Sequence, residues 1–168
     1  MRHWETCGVT LYLIRHADAG KRDPYSPSDH LRGLSEDGLR QAARIADRLG
    51  GAGVTRVFSS PFLRCRETVE PLAERVGVEV ELHRALAEGA DGRDVLALMR
   101  GLVGTSAALC SHGDVIPDVL WLMERRGTVI NGKRGNAKGS VWTITTDGDA
   151  LVSAAYTKIP RKPDGAPS

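Results

Sequence analysis

The sequence predicts an α/β fold: a three-layer sandwich with a mostly parallel central sheet, helices on both faces and an antiparallel element at the C-terminal end. Three observations predict it. Short β-prone runs alternate with amphipathic stretches at helical spacing along most of the chain. The first run, "VTLYLI" (Val9 to Ile14), reads as a buried strand. The last two runs are joined by Asp147-Gly148, a hairpin signal.

After Val9 to Ile14 comes a long loop to Leu34, punctuated by Gly20, Pro24, Pro27 and Gly33, and loops of that length are usually functional. Ser35 then caps a helix with acids in its first turn, apolar positions from Leu39 to Leu49 and glycines as its stop. "TRVFSS" is a strand, and "PFLRCRETVEPLAERVG" is a helix with Pro61 near its first turn and Pro71 expected to kink or break it. "VEVELH" alternates as a strand, Arg93 to Val103 forms a third helix and "AALCSH" a fourth strand. "DVIPDVLWLMERRG" is a fourth helix with Asp114 placed as its cap. A polar loop, "TVINGKRGNAKG", separates it from the final strands "SVWTITT" and "ALVSAAY". Residues 1–159 read as one domain and residues 160–168 as a C-terminal tail, with "IPRKPDGAPS" expected to fray.

The 168 residues suffice for one domain with its own core. A balance of 23 Lys plus Arg against 21 Asp plus Glu, net +2, argues against binding to nucleic-acid polymers or membranes, so any anion preference must be local. Three cysteines, Cys7, Cys65 and Cys110, with no CxxC pair or zinc-type spacing read as reduced thiols in a cytoplasmic protein without a metal or cofactor. The first residues, "MRHWETCG", carry no apolar signal region.

In an open α/β sheet, ligands bind beyond the carboxyl ends of the strands. This chain puts Arg15 and His16 after the first strand, Arg64 after the second, Glu88 after the third and His112 after the fourth. Singly, each has a structural explanation: a surface arginine, a satisfied core histidine, or a first-turn arginine paired with Glu67 or Glu70. Jointly they describe something else. Cations about 4 Å apart repel by several kcal/mol at an effective dielectric near 20, so gathering them is costly without an anion. Phosphate suits paired arginines, because each guanidinium donates two parallel hydrogen bonds.

The segments "LIRHADAG", "SSPFLRCRETVEPLA", "LAEG" and "CSHGDVI", in that order, resemble the histidine phosphatase superfamily, which includes the cofactor-dependent phosphoglycerate mutases. The resemblance runs from about Leu11 to Thr145. The chain's short length is most similar to the small bacterial phosphohistidine-phosphatase branch, and "RHADAGKR" is also similar to phosphatase domains fused to Nudix hydrolases in actinobacteria.

That resemblance implies His16 as the nucleophile, forming a phosphohistidine, with Arg15, Arg64 and His112 holding the transferring oxygens. It implies Glu88 as the acid that protonates the leaving group and then activates water, with Asp91 as the competing candidate. His16 must be neutral to attack; neighbouring arginines push its pKa down and a bound phosphate pushes it up. Where the mutases have glycine after the nucleophile, this chain has Ala17, and it has no room for their long insertion, so a hydrolase is expected. The leaving-group acid favours a phosphomonoester, because a phosphohistidine leaves as an easily protonated imidazole. A protein phosphohistidine phosphatase and a catalytically silent phosphate-binding module stay open as alternatives. The expected partner is a phosphorylated small molecule or phosphoprotein. Lys21 is a further substrate-binding candidate, Asp18 another that could touch substrate, and "NGKRGNAKG", with Lys133, Arg134 and Lys138, is either a basic flap or an exposed flexible loop. Cys65 and Cys110 receive no role.

Overall fold

The computed structural model describes residues 9–161. β1 (Thr10–Arg15) leads through the long loop, which holds a short 3-10 turn (Asp29–Leu31), into α1 (Glu36–Leu49). β2 (Arg56–Ser59), α2 (Leu63–Val76), β3 (Val80–Leu82), α3 (Gly92–Gly101), β4 (Ala107–Ser111) and α4 (Val115–Arg125) follow. The chain closes with β5 (Val129–Asn131), β6 (Val141–Asp147) and β7 (Ala150–Thr157).

The seven strands form one sheet in the order β3-β2-β4-β1-β6-β7-β5. β1 pairs parallel with β4, β4 with β2 and β2 with β3. β6 lies antiparallel to both β1 and β7, and β7 pairs parallel with β5. Only β6 therefore runs against the other strands, which is the antiparallel C-terminal element expected from the Asp147-Gly148 hairpin. β1 sits inside the sheet, and its alternation splits cleanly. Leu11 and Leu13 join the core beneath α3 and α4, while Tyr12 and Ile14 join the core beneath α1 and α2. Burial on both faces explains why this strand is apolar throughout.

Four expectations need correction. α2 continues unbroken through Pro71. A proline inside a helix costs about 3 kcal/mol, but this helix buries Val69, Leu72 and Ala73 almost completely, and each large side chain so buried returns about 1.5–3 kcal/mol. β5 lies inside the stretch read as polar loop; three residues show no periodicity, and what makes them a strand is the exposed edge of β7 beside them. Asp114 precedes α4 without capping it through its side chain; its carboxylate instead accepts from Gly89 N at 2.8 Å. The expected frayed tail begins as ordered structure: Ile159 is buried, its carbonyl accepts from Gln41 Nε2, and Arg161 pairs with Asp18 at 3.2 Å. Residues 162–168 of that tail, and the readings made on Met1 to Gly8 including Cys7, lie outside the described residues. Among the described residues no helix is long and apolar enough to cross a membrane.

Candidate active site

The parallel arrangement of β1, β2 and β4 brings their carboxyl ends to one edge, and short backbone bonds fix the exits. His16 N donates to Ser111 O at 3.0 Å, and Ser60 N donates to Cys110 O at 3.0 Å. Beyond His16 the chain is held residue by residue: Ala17 N donates to Thr68 Oγ1 and Asp18 N to Gln41 Oε1, both at 2.9 Å. Asp18 O accepts from Ser35 N and Ser35 Oγ at the start of α1. Gly38 makes that docking feasible, since a Cβ there would lie 2.0 Å from Asp18 O.

His16 and His112 meet edge to face with ring centroids 5.4 Å apart. Both are buried, and Arg64 beside them is completely so. Its Nη1 donates to Asp29 O at 3.0 Å, and its Nη2 lies 3.3 Å from Glu88 and 3.2 Å from the Asp29 carboxylate. Arg64 is therefore not paired with Glu67 or Glu70. Its guanidinium also covers the Phe62 ring, which packs against His112. Arg15 donates through Nη1 to Asn136 O. Three buried nitrogens in this group, Arg15 Nε, Arg64 Nε and His112 Nδ1, have no hydrogen-bond partner. Buried polar atoms are normally paired, so three unpaired nitrogens in one group make this a candidate anion-binding position.

The tautomer of His16 follows from its bond. Nδ1 lies 2.8 Å from Ala17 O, and a carbonyl only accepts, so Nδ1 carries the hydrogen and Nε2 of the neutral ring keeps the lone pair. Burial lowers the His16 pKa to about 4, the bond to Ala17 opposes it, and Arg64, Arg15 and Lys138 push the same way as burial. Burial likewise lowers His112 to about 3, assisted by His16 and Arg64. In the free protein, burial and the arginines thus hold the nucleophile candidate neutral at pH 7.

A pH dependence with a definite sign follows. The unfolded rings charge near pH 6.5 while the folded ones do not, so the unfolded chain binds more protons between pH 6.5 and about 4. Stability is fully present above pH 6.5 and falls with decreasing pH, by up to about 1.4 kcal/mol per pH unit for each ring. Urea unfolding at pH 7 and 5, with ring titration followed by NMR, checks it; rings that charge near pH 6.5 in the folded protein would contradict it.

The structure brings His16, Arg15, Arg64, His112 and Glu88 together. Asp91, the competitor of Glu88, caps α3 through Arg93 N and pairs with the Arg93 side chain at 2.7 Å. Lys21 is exposed, and no hydrogen bond or ion pair joins it to the cluster. Cys65 and Cys110 are free and buried, with Cys65 Sγ 3.5 Å from His112 Nε2. The loop over residues 132–139 is not a free flap: Gly139 N donates to Arg15 O and His16 O, and Gln41 Nε2 donates to Lys138 O.

Several contributors to the site carry little signal in the sequence. Ser60 Oγ lies 2.8 Å from His112 Nε2 and fixes that ring. Arg22 also reaches the Glu88 carboxylate, at 3.4 Å. Asp29, steadied by Arg32 at 3.0 Å, anchors Arg64. Gln41, fully buried, ties the segment after His16 to Lys138 and Ile159. Its only sequence signal was an amide on the apolar face of an amphipathic helix. Gly113 admits Arg15, whose Cζ would lie 2.5 Å from a Cβ there. We expect Gly113→Ala to displace the Arg15 guanidinium, lowering kcat/KM about tenfold to a hundredfold while the unfolding midpoint hardly moves. Parallel kinetics and thermal unfolding check this.

The family model of the histidine phosphatase superfamily (branch 1) matches residues 11–95. The chain belongs to this superfamily. An 8-oxo-(d)GTP phosphatase of Mycolicibacterium smegmatis is 30% identical over 156 residues, covering 90% of this chain and 48% of that protein, so the chain spans about half the length of that relative. Among solved structures, a SixA protein from Nakamurella multipartitia superposes with a TM-score of 0.67 at 26% identity, covering 90% of this chain and 94% of the other. The protein histidine phosphatase SixA complexed with tungstate superposes with a TM-score of 0.66 at 23% identity, covering 89% and 94%. The α/β architecture expected from the sequence is the fold of these structures.

Proposed function

We propose that the chain is a phosphatase that hydrolyses a phosphomonoester through a covalent phosphohistidine on His16. The observation that carries the reading is the meeting of a neutral imidazole, whose Nε2 is free, with a second imidazole and two arginines that keep unpartnered Nε–H groups. Membership of the superfamily and the phosphatase relative support it.

In the first step, His16 Nε2 attacks phosphorus, the bond to the leaving oxygen breaks, and Glu88 gives that oxygen a proton. In the second, Glu88 takes a proton from water, the oxygen attacks phosphorus and the P–N bond returns its electrons to the ring. Arg15 and Arg64 neutralise the equatorial oxygens, where such reactions need charge most, and the uncharged His112 ring donates a hydrogen bond to them from Nδ1. Glu88 is preferred to Asp91 because it touches Arg64, whereas Asp91 is spent on α3. No step requires a metal, and turnover is expected to persist in chelator.

The test is rapid quenching with labelled p-nitrophenyl phosphate. Label is expected on His16, stable in alkali and lost in acid; turnover with no trapped label under any quench would refute the covalent route. A phosphorylated histidine domain run in parallel separates the monoester reading from phosphohistidine hydrolysis, and faster turnover of that domain would overturn the monoester assignment.

A further inference from the structure

We infer that Lys138 forms a second anion subsite beside His16, binding a phosphate or carboxylate that the substrate carries beside its transferred phosphoryl group. The inference deepens the phosphatase reading and rests on it for the word substrate, but its geometry stands on residues that the reading does not use.

Lys138 is fixed at its backbone and loosely held at its tip. Its carbonyl accepts from the buried Gln41, and the next residue, Gly139, donates to the His16 carbonyl at 3.0 Å. The segment is thus bound to the nucleophile's own peptide. The ammonium, by contrast, meets Asp18 Oδ1 only at 3.6 Å, beyond hydrogen-bond distance, and the side chain is about one-third exposed at 36%. It lies close enough for its charge to act on His16.

Asp18 does not depend on this lysine. Its Oδ2 accepts from Ser35 Oγ at 2.6 Å and pairs with Arg161 at 3.2 Å. Lys138 can therefore leave without stranding a buried carboxylate, which is the usual cost of breaking such a pair. Three arginines around the site are engaged. Arg22 holds Glu88, Arg32 holds Asp29 and Arg134 is paired with Glu124. Lys138 combines proximity to His16, partial exposure and a partner that can spare it. A compact ammonium on a flexible stem suits either a phosphate or a carboxylate as a point charge.

The test uses three non-hydrolysable probes, so that binding is read without turnover: methylphosphonate with one anionic group, methylenediphosphonate with a second phosphonate, and phosphonoacetate with a carboxylate. By calorimetry the wild-type protein is expected to bind one of the two-headed probes about tenfold more tightly than methylphosphonate, the scale of one charge-assisted hydrogen bond. Whichever is tighter identifies the second group. Lys138→Met should reduce that preference to about twofold or less, leaving methylphosphonate affinity within about twofold.

The subsite is overturned if wild type shows no preference, if the preference survives in Lys138→Met, or if methylphosphonate weakens equally, which would mean that Lys138 acts through Asp18. Turnover of p-nitrophenyl phosphate, measured separately, decides the phosphatase reading independently of these affinities.

Discussion

Replacing His16 by alanine is expected to lower kcat by about 10⁵-fold, the scale seen when an enzyme loses its covalent nucleophile, and to abolish the trapped phosphoenzyme. The ring is held by backbone that alanine does not disturb: His16 N keeps Ser111 O, and Ala17 and Asp18 keep Thr68 and Gln41. A folded but inactive protein should result. The variant also loses one of the two rings held neutral by burial. Its stability should therefore fall less steeply than wild type between pH 6.5 and 4, because one fewer group takes up protons on unfolding. Label retained in His16→Ala, or kcat within about tenfold of wild type, would assign the nucleophile elsewhere.

What could be read in advance divides along physical lines. Strand and helix identities are local, carried by the apolar run of β1, the Ser35 cap and the amphipathic face of α1, and these recur in the structure. The convergence of Arg15, His16, Arg64 and His112 was legible because topology alone places the ends of parallel strands together. Partner choice was not. Nothing in the order of residues indicates that Asp29, 35 positions from Arg64, supplies both a carbonyl and a carboxylate to it, or that Arg22 reaches Glu88. Both contacts come from the long β1–α1 loop, whose path depends on tertiary packing and not on periodicity. Pro71 shows the same limit from the other side. Its local preference is strong, yet the burial of Val69 and Leu72 outweighs it.

Arg64→Met is expected to cost about 10³-fold in kcat/KM, because a guanidinium aimed at transferring phosphoryl oxygens stabilises charge that develops in the transition state. The effect on folding should be much smaller. The stem of Met fills the space of a fully buried side chain, and replacing a buried ion by an apolar group of similar size is often close to neutral. The two carboxylates left behind keep other partners, Glu88 with Arg22 and Asp29 with Arg32. A stability change within about 2 kcal/mol is therefore expected. Arg64→Lys should rescue little, since a compact ammonium lacks the planar fork whose separate nitrogens reach Asp29, Glu88 and a phosphoryl oxygen. A second readout separates this role from mere packing. Arg64 lowers the proton affinity of both His16 and His112, so both rings should titrate at higher pH in Arg64→Met. Recovery of activity to within tenfold by lysine, or ring titrations unchanged from wild type, would mean that Arg64 braces the loop instead of facing the phosphoryl group.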